Sequence, residues 1–219
     1  MVRSVIWQGR HWPSQCRKQQ EEAWHNAEVD ALYRLDRANV RVPEPFGCFD
    51  GVLLMELITD GDGDVAPRLN DVSMPAEQAL EDHMLMMRYV MRMLHAGLVH
   101  GDLSEFNVLV DEYGPVIIDL PQAVDAAANN HAEWMLERDV NSITAYYALY
   151  APELKNSQYA KEIWGLYQSG KFDPEAELTG LFEENNESAD VDVVLEEIKA
   201  ALEEEQARQL RQAEAEGRI

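Results

Sequence analysis

The stretch His100-Gly101-Asp102-Leu103-Ser104-Glu105-Phe106-Asn107 decides how the rest of the chain is read, together with Val108-Leu109-Val110, the connector Asp111-Glu112-Tyr113-Gly114-Pro115 and Val116-Ile117-Ile118-Asp119. The two apolar, β-branched runs predict antiparallel strands, because such side chains pack well on a pleated surface and the residues between them favour a turn. A five-residue loop pairs Val110 with Val116 and, counted back, sets Asn107 opposite Asp119 at the open end of the hairpin. A loop shorter by one residue moves the pairing by one. Asp102 lies in a polar, irregular segment that can arch back over the same point. Oxygen-only ligands with spare positions suit magnesium held against a phosphate, since that small hard ion keeps waters and takes few protein ligands. A hairpin with merely polar ends has the same spacing, and geometry alone leaves both readings open.

The motif resembles the catalytic loop and metal-binding segment of the RIO family of atypical serine/threonine protein kinases, and is closest to the bacterial members. In ordinary protein kinases the corresponding pieces read HRDLKPEN and DFG. The departures here, Gly101 for arginine and Ser104 for lysine, are those that RIO kinases show. Val42-Pro43-Glu44-Pro45, His131-Ala132-Glu133-Trp134 and Glu137-Arg138-Asp139-Val140 also resemble RIO sequence, so the likeness runs from about Glu21 to about Tyr167.

The resemblance implies an α+β, protein-kinase-like (RIO) fold with an incomplete N-lobe and a mainly helical C-lobe. It implies Asp102 as the residue that orients or deprotonates the acceptor, with Glu28 as a second catalytic residue. Asn107 and Asp119 become ligands of Mg2+, or of Mn2+, and Ser104, Glu105, Asn107 and Asp119 line the phosphates of ATP. Met55, Glu56 and Ile58 become the hinge, where the Glu56 carbonyl and the Ile58 amide would contact adenine.

The chain of 219 residues is long enough for one substantial domain or two small lobes. Its formal charge of −23 disfavours nucleic acid and anionic membranes and makes a basic substrate or partner easier to accommodate, although much of the charge sits in the C-terminal tail. Cys16 and Cys48 are far apart and form no CxxC pair, so neither a zinc site nor a disulfide framework is indicated. No apolar run approaches the roughly 20 residues of a membrane span, and a secretory leader is not expected, because no basic segment leads into an apolar core near Met1. The expected location is the cytoplasm; the sequence says nothing about oligomeric state.

Met1 to Pro13 shows no period. A helix is predicted from Ser14 to about Arg37, with Trp24, Ala31 and Leu35 on its buried stripe and Glu28 on the same face. A carboxylate there calls for a partner, which in the kinase fold is a strand lysine on the ATP phosphates; at the edge of the stripe it can instead reach solvent. Lys18 precedes Glu28 by ten positions on the same predicted helix, about 15 Å along the axis, and cannot be that lysine. Gly9 has no glycine-rich neighbourhood. The chain is therefore read as a RIO domain beginning after its first strands, whether by truncation, a late start or degeneration.

Phe46 to Ile58 predicts a hairpin turning at Asp50-Gly51. Asp60, Asp62, Asp64 and Asp71 imitate a calcium loop, but Val65 stands where glycine is required and Pro67 interrupts, so the segment is read as a solvated linker. A helix starting at Ser73 or Pro75 carries Leu80, Met84, Met87, Met91 and Leu94 as its stripe and ends at Gly97. His100 is read as a brace for the loop. No serine, threonine or tyrosine occurs between Asp119 and Asn129, so a phosphorylated activation segment is not expected. Helices follow from about Asn130 to Tyr150, carrying Trp134, Val140 and Ile143, and over Tyr159 to Tyr167. Asp139 either braces the loop or is exposed. An amphipathic helix from about Ser188 frays toward Ile219.

This divides the chain into a partial N-lobe over 1–58, a C-lobe over 59–180 and an acidic extension over 181–219. The resemblance implies transfer of the ATP γ-phosphate to a protein or to the chain itself, with an ATPase switch, Asp119 being the phospho-acceptor, as a related role. A catalytically impaired, pseudokinase-like nucleotide-binding or interaction module and an aminoglycoside-kinase-type phosphotransferase are the alternatives. Asp119-Leu120-Pro121-Gln122 and Glu137-Arg138-Asp139-Val140 argue against the phosphotransferase.

Overall fold

Arg41 and Asp111 show how this chain sets its strands. The guanidinium meets the carboxylate through contacts of 2.8 and 2.5 Å, while the Ile117 N–H donates to the Arg41 carbonyl at 2.9 Å. The segment after the first helix is thereby laid along one side of a hairpin. The computed structural model describes residues 27–49, 52–170 and 172–182, all within one compact unit. The predicted helix start at Ser14, Trp24, the Asp50-Gly51 turn and the helix from Ser188 lie outside them.

Helix α1 covers 27–37 of the described residues and buries Ala31, Leu32 and Leu35 on one side, as its 3.6-residue period requires. Asn39, at φ 56°, ends it in the left-handed conformation that asparagine tolerates. Strands β1 (Pro45–Phe49) and β2 (Val52–Met55) form the first hairpin. The segment after it is held in place at several points. Asp60 Oδ1 accepts the N–H groups of Asp62 and Asp64, closing a turn, and Arg68 bridges to Leu109.

Helix α2 (Ala76–His95) runs to Gly97, whose φ of +77° reverses the chain. Its buried face carries Met87, Met91 and Leu94 as expected, with Ala79, Met86, Val90 and Met93 beside them. Met84, predicted in that stripe, is 61% exposed. The buried face is rotated toward His83, which packs among Tyr147 and Tyr159, and periodicity alone could not choose between adjacent rows.

Strand β3 (Leu98–Val99) pairs with β6 (Val124–Asp125), and β4 (Val108–Asp111) pairs with β5 (Gly114–Ile117), both antiparallel. Helix α3 (Ala132–Tyr147), a 3-10 turn at Pro152–Asn156 and helix α4 (Tyr159–Gln168) complete the described fold. Leu136, Val140, Ile143 and Ile163 join the methionines of α2 in a continuous core. Trp134, expected with Val140 and Ile143, is exposed instead. The mixture is α+β, as anticipated. No helix among the described residues is long and apolar enough to cross a membrane.

The β4–β5 register corrects the predicted one. Val110 pairs with Pro115 and Asp111 with Gly114, so the loop is Glu112-Tyr113 and Asn107 lies across from Ile118, not Asp119. Proline fits inside the pair because the Val110 N–H points the other way, to the Pro67 carbonyl at 2.9 Å. Gly114, at φ +110°, allows the tight reversal, and the Asp111 side chain caps it by accepting the Tyr113 N–H at 2.8 Å.

Candidate functional site

The chain enters the site at His100, which is 2% exposed. Its Nδ1 accepts the Asp102 N–H at 3.3 Å, which leaves Nε2 as the donor to the Ile118 carbonyl at 3.1 Å. One neutral ring thus ties the start of the loop to the end of β5. Burial pushes its pKa down, against the carboxylates of Asp119 and Asp102, so the neutral form is the one favoured. The expected bracing role matches this geometry.

Gly101 follows at φ +81°. A Cβ there would stand 2.5 Å from the Gln122 carbonyl oxygen, so neither the conformation nor the space admits a side chain. Beneath the loop lies Asp139, 2% exposed, with Oδ2 accepting the Gly101 N–H at 2.7 Å and Oδ1 accepting the Leu103 N–H at 3.1 Å. Of its two predicted roles, the structure selects the brace. Desolvation raises its pKa to about 6, against the two N–H groups and Arg138.

Asp102 is left exposed above this clamp. Asn107 Nδ2 donates to the Asp102 carbonyl at 2.8 Å and lies 3.4 Å from Asp102 Oδ2, closing the loop on itself. The Ile118 N–H donates to the Asn107 carbonyl at 3.0 Å, so Asp119 is the next residue beyond the last tie of the hairpin. Asp119 is exposed and at φ 68°, and this left-handed turn, not strand register, sets where it leaves the hairpin. The structure therefore brings Asp102 and Asn107 together directly and attaches Asp119 to the same point through Ile118.

Ser104 and Glu105 are half-buried, and their carbonyls accept the N–H groups of Asn107 at 3.0 Å and Asn70 at 3.3 Å. Met55 ends β2, the Glu56 N–H donates to the Glu44 carbonyl at 2.9 Å, and Ile58 is buried with its carbonyl on the Ala66 N–H at 3.0 Å. Glu28 is half-buried on α1. No group of three His, Cys, Asp or Glu among the described residues could hold a metal by itself. The donors at the loop nevertheless suit a hard cation shared with phosphates. Asn107 uses its Nδ2 within the protein, 3.4 Å from the Asp102 carboxylate, which leaves its amide oxygen for a ligand, and Asp119 is the residue after the Ile118 that is tied to the Asn107 carbonyl.

Arg138 belongs to this site although its role was not read from the sequence. It donates to the Gly101 carbonyl, stands 4.0 Å from Asp102 Oδ1 and 3.5 Å from Asp139 Oδ1, and lies 5.1 Å from the centre of the Trp134 ring. The available signal was its place beside Asp139 and one helical turn after Trp134.

The sequence profile of the RIO domain matches residues 8–160. This chain belongs to the RIO domain family. The RIO-type serine/threonine-protein kinase Rio1 of Haloferax volcanii is 42% identical over 126 residues, 57% of this chain and 42% of that protein. The corresponding Rio1 protein of Thermoplasma acidophilum is 35% identical over 125 residues, 57% of this chain and 63% of that one. The Rio2 kinase of Chaetomium thermophilum, in its ADP/Mg2+-phosphoaspartate complex, aligns at a TM-score of 0.49 and 23% identity, covering 68% of this chain and 46% of that one. Matches to this RIO domain span less than two thirds of the length of these relatives.

Proposed function

We propose that this RIO domain contributes the hinge, catalytic loop and C-lobe of a protein serine/threonine kinase, within 1–58 and 59–180, that transfers the ATP γ-phosphate to a protein or to itself. The observation that carries the reading is the closure of the loop by the Asn107 amide on the Asp102 carbonyl, which keeps a carboxylate and an amide oxygen side by side. Relatives 42% and 35% identical bear the name of RIO-type serine/threonine-protein kinase. Asp102 orients the acceptor hydroxyl and takes its proton as that oxygen bonds to phosphorus and ADP leaves. Asp139 and His100 act through the backbone, holding Gly101, Leu103 and Ile118 so that Asp102 stays poised. Asn107 and Asp119 are the proposed holders of Mg2+, which neutralises phosphate charge when bound. Ser104 supplies no positive charge toward the γ-phosphate, so transfer to peptides is slow. The acidic chain favours a basic protein substrate.

The test combines magnesium-dependent ATP binding with γ-phosphate transfer to the chain itself and to a basic protein. The expected result is binding plus transfer, with Asp102→Asn lowering transfer by about 10²- to 10⁴-fold while binding persists. Binding without transfer that Asp102→Asn leaves unchanged identifies a nucleotide-binding module instead. Absence of binding refutes the kinase reading for this chain.

A further inference from the structure

A second feature lies away from the loop. A cavity of about 380 Å³ opens between the first turns of α2 and the β4–β5 turn. That volume falls in the range of small-ligand sites, roughly 300–1,000 Å³. Met74, Leu85 and Val110 supply apolar wall, while Glu81, Asp82 and Glu112 supply carboxylates. Among the described residues, no lysine, arginine or histidine lines it. Asp111 also borders it, but its carboxylate is already engaged by Arg41.

Asp82 points to a ligand. It is only 4% exposed, and among the described residues its side chain accepts one hydrogen bond, from Gln78 Nε2 to Oδ1 at 2.9 Å. Oδ2 accepts nothing from the described residues, yet it is not sealed in the interior as the orphan atoms of His83 and Tyr147 are. Asp82 is one of the residues that line the cavity, and Oδ2 is the acceptor it leaves unused. Desolvation pushes the Asp82 pKa up, and neighbouring Glu81 adds to the effect. A carboxylate so placed, with no counter-charge beside it, is a costly arrangement that an entering cation would relieve. The apolar side chains of Met74, Leu85 and Val110 beside these carboxylates favour a cation with an aliphatic stem over a bare hydrated metal ion.

We propose that this cavity binds an alkylammonium or alkylguanidinium group, its head on Asp82 with Glu81 and Glu112 at the mouth and its stem along Met74, Leu85 and Val110. Such a group can come from a free amine or from the lysine or arginine side chain of a polypeptide. The site stands apart from the catalytic loop, so it holds whether or not the kinase reading does.

The full chain, labelled with 13C at its Met, Leu and Val methyl groups, is titrated with agmatine and, separately, with a short glycine-flanked arginine peptide. Hexanoate, with a similar stem and the opposite charge, is the control. Saturable shifts of the Met74, Leu85 and Val110 methyls are expected with the cations and not with hexanoate. Asp82→Asn should weaken binding about tenfold. The double variant Glu81→Gln with Glu112→Gln changes only exposed side chains, so it gives a second reading that does not depend on a buried site and should also weaken binding. Tighter binding of the peptide assigns the polypeptide source, and tighter binding of agmatine the free amine. No methyl shifts up to roughly 10 mM of either cation, equal shifts with hexanoate, or affinity unchanged in both variants would overturn the proposal.

Discussion

His83 offers a measurement that tests the packing of α2 against α3 and α4. The side chain is fully buried, with Nε2 2.9 Å from Thr144 Oγ1, Nδ1 without a partner among the described residues, and the rings of Tyr147 and Tyr159 at 5.9 and 5.0 Å. Burial lowers its pKa from 6.5 to about 4. The folded state therefore resists protonation while the unfolded chain takes a proton near 6.5. The stabilisation is fully present above pH 6.5 and is lost as the pH falls toward 4, by about 3 kcal/mol in all. That is a large part of the roughly 5–15 kcal/mol that holds a domain folded. Asp139 acts in the opposite direction, because its raised pKa, about 6, makes its contribution decline as pH rises from the ordinary carboxylate range. The total curve therefore hides both groups, and a difference isolates one. Urea unfolding of the parent and of His83→Gln, from pH 7.5 to 4, should show the parent losing its advantage by about 3 kcal/mol across that interval, with the His83 ring carbons titrating near 4. A flat difference curve, or a His83 titration near 6.5, would refute the buried placement.

Three further outcomes are expected. Asp139→Asn puts a donor against one of the backbone N–H groups of Gly101 and Leu103 and should cost about 2 kcal/mol; unchanged amide exchange at those two positions would count against the clamp. Gly101→Ala brings a Cβ onto the Gln122 carbonyl at a positive φ and should lower stability by about 2–5 kcal/mol in thermal unfolding. Arg41→Met should cost about 1 kcal/mol at neutral pH, a modest figure because the arginine is a third exposed to screening solvent. Arg41 holds the Asp111 pKa below its ordinary value, so that deficit is present above pH 3.8 and should vanish as the pH falls through the lower value; a deficit persisting in acid would mean that packing, not charge, joins the pair.

Much of the chain was legible in its residue order. Alternating and β-branched runs marked the hairpins, 3.6-residue periods marked the helices, and His100 through Asp119 carried a pattern specific enough to name the RIO family, now supported by the profile over 8–160. These signals are local, since each depends on residues a few positions apart. What tertiary structure alone decided involves residues distant in sequence. The hairpin register depends on Arg41 meeting Asp111 and on Pro67 taking the Val110 N–H, so counting loop residues misplaced it by one. Whether Asp139 faced solvent or the loop was settled when α3 packed beneath Gly101 and Leu103. Met84 and Trp134 face outward because the neighbours of their helices, not their periods, chose the buried side. Asp119 owes its place in the candidate site to a left-handed turn after Ile118, and the carboxylate-lined cavity exists only because the start of α2 folds against a turn nearly thirty residues on. Local chemistry named the parts, whereas long-range packing chose which oxygens were buried, braced or left open to a ligand.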